Sequence, residues 1–215
     1  MKTIAVIGDI HGCVKQLIKL YDKILKYTDD VYSVGDLIDR GEYSKEAVQF
    51  CIDNQIKPVM GNHEYTMLQS LIDDTREKGA RDKEALRLWM YIGADKTIES
   101  YCKNTKKKLK DFTKELIECG HYDYIKSLPL SRETDTCIIS HGGIVSGKTE
   151  INMLYNRQTP SKLNKLQVIG HTPEPEAIYR KGHYVNIDTG CIYWGKLSAV
   201  IVSEDASCDI ISAQI

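Results

Sequence analysis

Asp9 and His11 stand between two glycines in Gly8-Asp9-Ile10-His11-Gly12. Asp36 follows a glycine in Gly35-Asp36-Leu37-Ile38-Asp39-Arg40-Gly41, and Asn62 and His63 do the same in Gly61-Asn62-His63-Glu64. His141-Gly142-Gly143 and Gly170-His171-Thr172 complete the series. A lone Gly-Asp is usually only a turn; it is the five motifs in order that carry meaning. Oxygen and nitrogen donors without a thiolate suit manganese, iron, zinc or nickel better than a soft metal. Asp9 and His11 are two residues apart, so extended backbone points both side chains the same way. The two oxygens of Asp36 can bridge two cations, and ions about 3.5–4 Å apart can stabilise both attacking and leaving oxygens of phosphoryl transfer. Asp9, His11, Asp36, Asn62, His141 and His171 therefore imply a centre of two divalent ions, with all six ligands on loops, that cleaves phosphate esters.

Other residues supply what a bare metal pair lacks. Arg40 can grip two phosphate oxygens with its planar fork, and Arg157, in Leu154-Tyr155-Asn156-Arg157, is a second candidate clamp. His63 can protonate a departing alkoxide, with Asp39 orienting the imidazole and keeping it protonated. His121 and His183 lie outside any motif and read as ordinary packing or surface residues. Asp188 reads as a turn cap.

Strands must position these groups. Residues 3–8, 31–34 and 56–60 read as strands, with helices at 13–27 (Leu17, Leu20, Ile24 and Leu25 on one face) and 44–52 between them. That βαβαβ rhythm implies a parallel sheet covered by helices. Residues 64–127 are charged and helix-prone, with Leu86, Leu88, Met90, Ile92, Ile98, Leu116 and Ile117 as buried candidates. Strands return at 136–140, 166–169, 184–187, 197–202 and 208–212. The expected whole is an α/β protein of two packed sheets flanked by helices. It is one domain over 1–215, with a helical insertion at about 64–127.

Composition narrows the class. The 29 Lys and Arg residues balance 30 Asp and Glu, leaving a formal net charge of −1, so there is no strong nucleic-acid signal. A lysine cluster (Lys103, Lys106, Lys107, Lys108, Lys110, Lys114) reads as a solvated helix face. Seven cysteines without a Cys-x-x-Cys pair read as reduced residues of a cytoplasmic protein. Nothing approaches the roughly 20 apolar residues of a membrane span, and the N-terminus lacks the pattern of a signal peptide.

Together the five motifs resemble the phosphoprotein phosphatase branch of the calcineurin-like metallophosphoesterases, particularly the small bacterial and phage serine/threonine phosphatases. The tail Asn186-Ile187-Asp188-Thr189-Gly190-Cys191 is similar too. The resemblance implies the calcineurin-like sandwich, with Asp9, His11 and Asp36 on one metal and Asp36, Asn62, His141 and His171 on the other. It implies manganese as the preferred ion, an acid dyad of His63 and Asp39, and a phosphate clamp of Arg40 and Arg157. Pro173 stands where many related phosphodiesterases carry a second histidine, which favours the phosphatase branch. Trp194 departs from the pattern, standing where a small residue is expected.

The leading expectation is a serine/threonine protein phosphatase, acting on phosphoprotein or phosphopeptide through a hydroxide activated by two metals. A symmetrical bis(5'-nucleosyl)-tetraphosphatase shares the same motifs, so the core alone does not separate the two. It would need aromatic stacking surfaces near the metals, and the basic segment 103–114 offers only Phe112. A third reading, a non-catalytic module on a decayed phosphatase, is disfavoured because every expected ligand is present.

Overall fold

The computed structural model describes residues 2–71, 83–102 and 109–214. Its first strand, β1 (Ile4–Ile7), is buried on both faces, which is why it reads as an unbroken apolar run. Alternation sends Ile4 and Val6 into one core, and Ala5 and Ile7 into another. Helix α1 (Val14–Ile24) follows and buries Leu17, Leu20 and Ile24. Leu25, expected on that face, is exposed; it caps the helix one step of about 100° past Ile24.

Strand β2 (Val31–Ser33), helix α2 (Ser44–Asp53) and strand β3 (Lys57–Pro58) complete the βαβαβ unit. β1, β2 and β3 pair in parallel, as the rhythm implied. β3 is shorter than expected. It lies at the edge of its sheet and contains Pro58, which has no N–H to donate to a ladder.

Five helices come next: α3 (Asn62–Leu71), α4 (Lys83–Ile92), α5 (Ala94–Tyr101), α6 (Leu109–Glu118) and α7 (His121–Lys126). Helix begins at Asn62 rather than at 64, and most of the lysine cluster, 103–108, lies outside the described residues. Leu116 is buried as expected, but Leu88, Met90 and Ile117 are exposed. The largest fully buried side chains here are Trp89 and Phe112, whose rings pack 5.4 Å apart. Leu88 and Met90 flank Trp89, so the helix that buries the indole turns both of them outward.

The second sheet contains β4 (Ser131–Glu133), β5 (Cys137–Ser140), β6 (Leu166–Ile169), β7 (Ile178–Arg180) and β8 (Tyr184–Asn186). A 3-10 turn (Glu150–Leu154) lies between β5 and β6. Helix α8 (Cys191–Trp194) then leads into β9 (Lys196–Val202) and β10 (Cys208–Gln214), which rejoin the first sheet. The sheet orders are β10-β9-β1-β2-β3 and β4-β5-β6-β8-β7. Ile4, Val6, Val34, Val200 and Val202 of the first sheet meet Cys137, Ile139, Val168 and Val185 of the second in one dry layer. The helices cover the outer face of the first sheet in another. This is the expected α/β sandwich of two sheets. No helix among the described residues is long and apolar enough to cross a membrane.

Candidate metal centre and cleft

Every motif leaves the carboxyl end of a strand: Asp9 follows β1, Asp36 follows β2, Asn62 follows β3, His141 follows β5 and His171 follows β6. Parallel strands put these ends on one edge, the usual site in open α/β sheets. The loops are tied together there. Ile10 and His11 donate backbone N–H to Asp36 O at 3.0 and 2.8 Å. Glu64 is completely buried and accepts from the backbone of Asp36, Leu37 and Gly61 at 2.8–2.9 Å. Its role as an anchor is visible in sequence only as the last letter of Gly-Asn-His-Glu. Gly61 needs its missing side chain, since a Cβ there would strike Asp36 Oδ1.

Five of the seven non-glycine residues with positive φ among the described residues are His11, Asp36, Asp39, Arg40 and His171. L-residues rarely adopt this conformation, and its concentration at one place marks backbone held for function rather than for packing.

Asp36 sits at the centre of two donor groups, one with His11 and His63 and one with His141 and His171. Its Oδ2 lies 3.5 Å from His11 Nε2, 3.8 Å from His63 Nε2 and 3.4 Å from His141 Nε2. Asn62 Oδ1 is 2.9 Å from His141 Nε2 and 3.0 Å from His171 Nδ1. Asn62 and His63 occupy the first turn of α3, so Asn62 is not the loop residue expected. Asp9, also buried, lies outside the two tight groups, and its carboxylate accepts from the His171 backbone N–H at 3.2–3.3 Å. Asp188 caps a turn by accepting from Gly190 N at 3.0 Å, and its charge, after burial, helps push Asp9 well above the usual carboxylate range.

The electrostatics fit a cation. Burial works to raise Asp36, but His141, His63 and His11 around it hold it well below the usual carboxylate range. Burial works to lower His141, yet Asp36 and Asp9 push it up to about 10, so a proton on Nε2 occupies ground that suits a metal ion. Its Nδ1–H is already committed to Val34 O at 2.8 Å. His11 and His171 are lowered to about 3, chiefly by burial, which leaves neutral imidazoles. His11 Nδ1–H donates to Ile38 O at 2.8 Å, so its lone pair is on Nε2, where Arg40 donates at 2.9 Å.

His63 Nδ1 lies 2.7 Å from Asp39 Oδ2, and both side chains are buried. Asp39 orients the ring but does not raise it: burial pushes His63 down to about 4 and Asp39 well up. One proton shared between them leaves Nε2–H facing the Asp36 side. Two residues absent from the sequence reading hold Asp39 in place. Trp89 Nε1–H donates to its oxygens at 3.0 and 3.2 Å, and the Thr97 hydroxyl donates at 2.6 Å. The helical segment thus reaches into the centre, and the buried indole finds the polar partner it needs. Gly93, between α4 and α5, accepts from Arg40 N at 3.1 Å.

Above this floor opens a cleft of about 400 Å³, lined by Asp36, Arg40, Asn62, Arg157, His171, Pro173, Tyr193 and Trp194. Both expected clamp arginines line it. Tyr193 and Trp194 are half exposed, and the Arg40 guanidinium lies 5.7 Å from the Tyr193 ring centre. Gly190, with φ of 61°, lets the Trp194 ring fold against it where any Cβ would collide. Phe112, the stacking candidate of the basic segment, is fully buried.

The family profile described as calcineurin-like phosphoesterase matches residues 2–201. The chain belongs to this family. Among curated relatives, the symmetrical bis(5'-nucleosyl)-tetraphosphatase of Haemophilus ducreyi is 37% identical over 86 residues, covering 38% of this chain and 32% of that protein. The match therefore spans about a third of that relative. The asymmetrical bis(5'-nucleosyl)-tetraphosphatase PrpE of Halalkalibacterium halodurans is 27% identical, across 97% of this chain and 94% of its own length. Among solved structures, a protein serine/threonine phosphatase from Saccharomyces cerevisiae superposes with TM-score 0.59 at 16% identity, covering all of this chain and 80% of that one. A metallophosphoesterase from Sphaerobacter thermophilus gives 0.58 at 14%, covering 99% and 88%. At such identities the superpositions establish the fold alone. In this member of the family the clustered His and Asp side chains suit a dinuclear divalent-metal centre.

Proposed function

We propose that this chain hydrolyses dinucleoside polyphosphates. The observation that carries this reading is the aromatic pair Tyr193 and Trp194 on the cleft wall, beside Arg40 and Arg157. The sequence ranking placed phosphopeptides first because the basic segment lacks stacking surfaces; α8 supplies them instead. An aromatic face that stacks a base contributes roughly 1–3 kcal/mol, and a phosphopeptide has no equivalent need. The two relatives described above, both tetraphosphatases by name, support the same choice.

In this reading Asp9, His11 and Asp36 hold one divalent ion, and Asp36, Asn62, His141 and His171 the other, with Mn²⁺ preferred. Bound ions would activate a water and neutralise phosphoryl charge. Arg40 and Arg157 grip non-bridging oxygens with planar donors. When Arg40 turns to phosphate it releases the His11 lone pair it now occupies. His63 donates its Nε2 proton to the leaving oxygen, and Asp39, fixed by Trp89 and Thr97, returns a proton to Nδ1.

One observation favours the runner-up, a serine/threonine protein phosphatase. The His63–Asp39 pair is buried and firmly oriented, and a serine alkoxide needs an acid more than a nucleotide phosphate does. Metal-reconstituted protein offered diadenosine tetraphosphate and phosphoserine peptide side by side separates the two. We expect kcat/KM higher for the dinucleotide, with the products (two ADP, or ATP and AMP) identifying the bond cut. A clear preference for the peptide would install the phosphatase.

A further inference from the structure

A second recess, of about 300 Å³, is lined by Val145, Lys148, Asn152, Tyr155, Asn156, Arg157 and Gln158. It shares one lining residue with the metal cleft, Arg157. We propose that this recess is the subsite for the second nucleoside of a dinucleoside polyphosphate, with Tyr155 as its stacking surface and Arg157 at the crossing point of the anionic chain. The inference rests on the reading of the substrate given above and deepens it.

Such a substrate has two bases joined by one long anion, so it needs two stacking surfaces separated by a cationic bridge. Tyr193 and Trp194 provide the first. Tyr155 is 44% exposed, and its hydroxyl lies beside Thr66, one helical turn past Asn62 on α3. The ring therefore stands beside the helix that carries Asn62 and His63. Its placement follows from the 3-10 turn Glu150–Leu154, which buries Leu154 and turns the next residue outward.

The cations at this end are unspent. Among the described residues neither Arg157 nor Lys148 has a carboxylate partner, whereas Lys45, Lys165 and Lys196 pair with Glu115, Glu133 and Glu176. The Asn156 side chain, in contrast, is consumed in shaping the loop: its Nδ2 donates to Gly142 O and Gln158 O, each at 2.9 Å, and its Oδ1 accepts from Gln158 N at 3.0 Å. That locks the backbone on both sides of Arg157, the residue both cavities share.

The test is equilibrium binding to the metal-reconstituted full chain of a methylene-bridged diadenosine tetraphosphate, which is not cleaved, against ADP. The wild-type protein should bind the dinucleotide analogue more tightly than ADP, and Tyr155→Ala should cut that advantage by about tenfold, the scale of one lost base stack. Tyr155→Phe, which keeps the ring and removes only the hydroxyl, should retain it. Circular dichroism checks that both variants fold. An advantage that survives Tyr155→Ala overturns the subsite while leaving the dinucleotide reading intact. Equal losses in the Phe and Ala variants overturn it as well, because the hydroxyl rather than the stacking face would then matter. A wild-type protein with no preference for the dinucleotide over ADP overturns both proposals.

Discussion

The floor and the wall of the cleft are built in opposite ways. The floor, Asp9, His11, Asp36, His63 and His141, is buried, and His11 and Asp36 are held in left-handed backbone by loops laced to one another and to Glu64. The wall, Arg157, Tyr193 and Trp194, is exposed: Tyr193 and Trp194 lie in the single turn of α8, and Arg157 stands three residues past the 3-10 turn. The difference teaches where each property resides. Groups that must be placed to within about 0.5 Å of their productive positions are over-determined by the fold, whereas groups that select a substrate stay free to meet it.

Breaking the floor should cost most. Asp36→Asn should lose at least one metal equivalent and nearly all activity, because one side chain serves both donor groups. Elemental analysis beside circular dichroism checks this; two full equivalents retained would remove Asp36 from the bridge. His63→Asn should keep its metals yet turn over about 10²–10⁴-fold more slowly, the usual cost of losing a general acid. The loss should be smaller on an aryl phosphate, whose leaving group needs less protonation, and equal losses would count against the acid role.

A smaller effect tests whether the helical segment belongs to the floor. Trp89→Phe removes the indole N–H from Asp39 and should slow turnover by up to about tenfold, a net hydrogen bond being worth roughly 0.5–1.5 kcal/mol. The loss should track leaving-group acidity as that of His63→Asn does, and it should largely vanish in a His63→Asn background, since the two residues act as one unit. Full additivity would make Trp89 merely structural.

The smallest effect is on stability. In metal-free protein His141 is raised from 6.5 to about 10 by Asp36 and Asp9 against its burial. Its proton therefore contributes stability that is complete below 6.5 and lost as the pH rises through about 10. Melting temperature should fall over that window in chelator-treated protein, and the slope should flatten once metal displaces the proton. Identical profiles with and without metal would exclude His141 as a ligand.

The same contrast explains what could be read from the chain alone. Asp9, Asp36, Asn62, His141 and His171 each follow a strand and stand next to or near a glycine, a local signal that survives without knowledge of packing. Trp89 and Thr97 carry no such mark; their partner Asp39 is 50 and 58 residues away, and only the packing of α4 and α5 brings them together. Leu88, Met90 and Ile117 were assigned to the core from apolarity, but each neighbours the residue that took the buried face. β4 and β7 escaped notice because both are three-residue edge strands with a polar or charged end, Ser131–Glu133 and Ile178–Arg180. Trp194 shows in the sequence only as an oddity, and its position on the cleft depends on Gly190 and the turn into α8.

The division between floor and wall is tested most directly by the selectivity of Trp194→Ala. Its kcat/KM should fall about 10–100-fold for diadenosine tetraphosphate, the loss of one stacking surface, and by a much smaller factor for an aryl phosphate that reaches only the floor. A parallel fall on both substrates, or no fall on the dinucleotide, would contradict the assignment of selectivity to the wall.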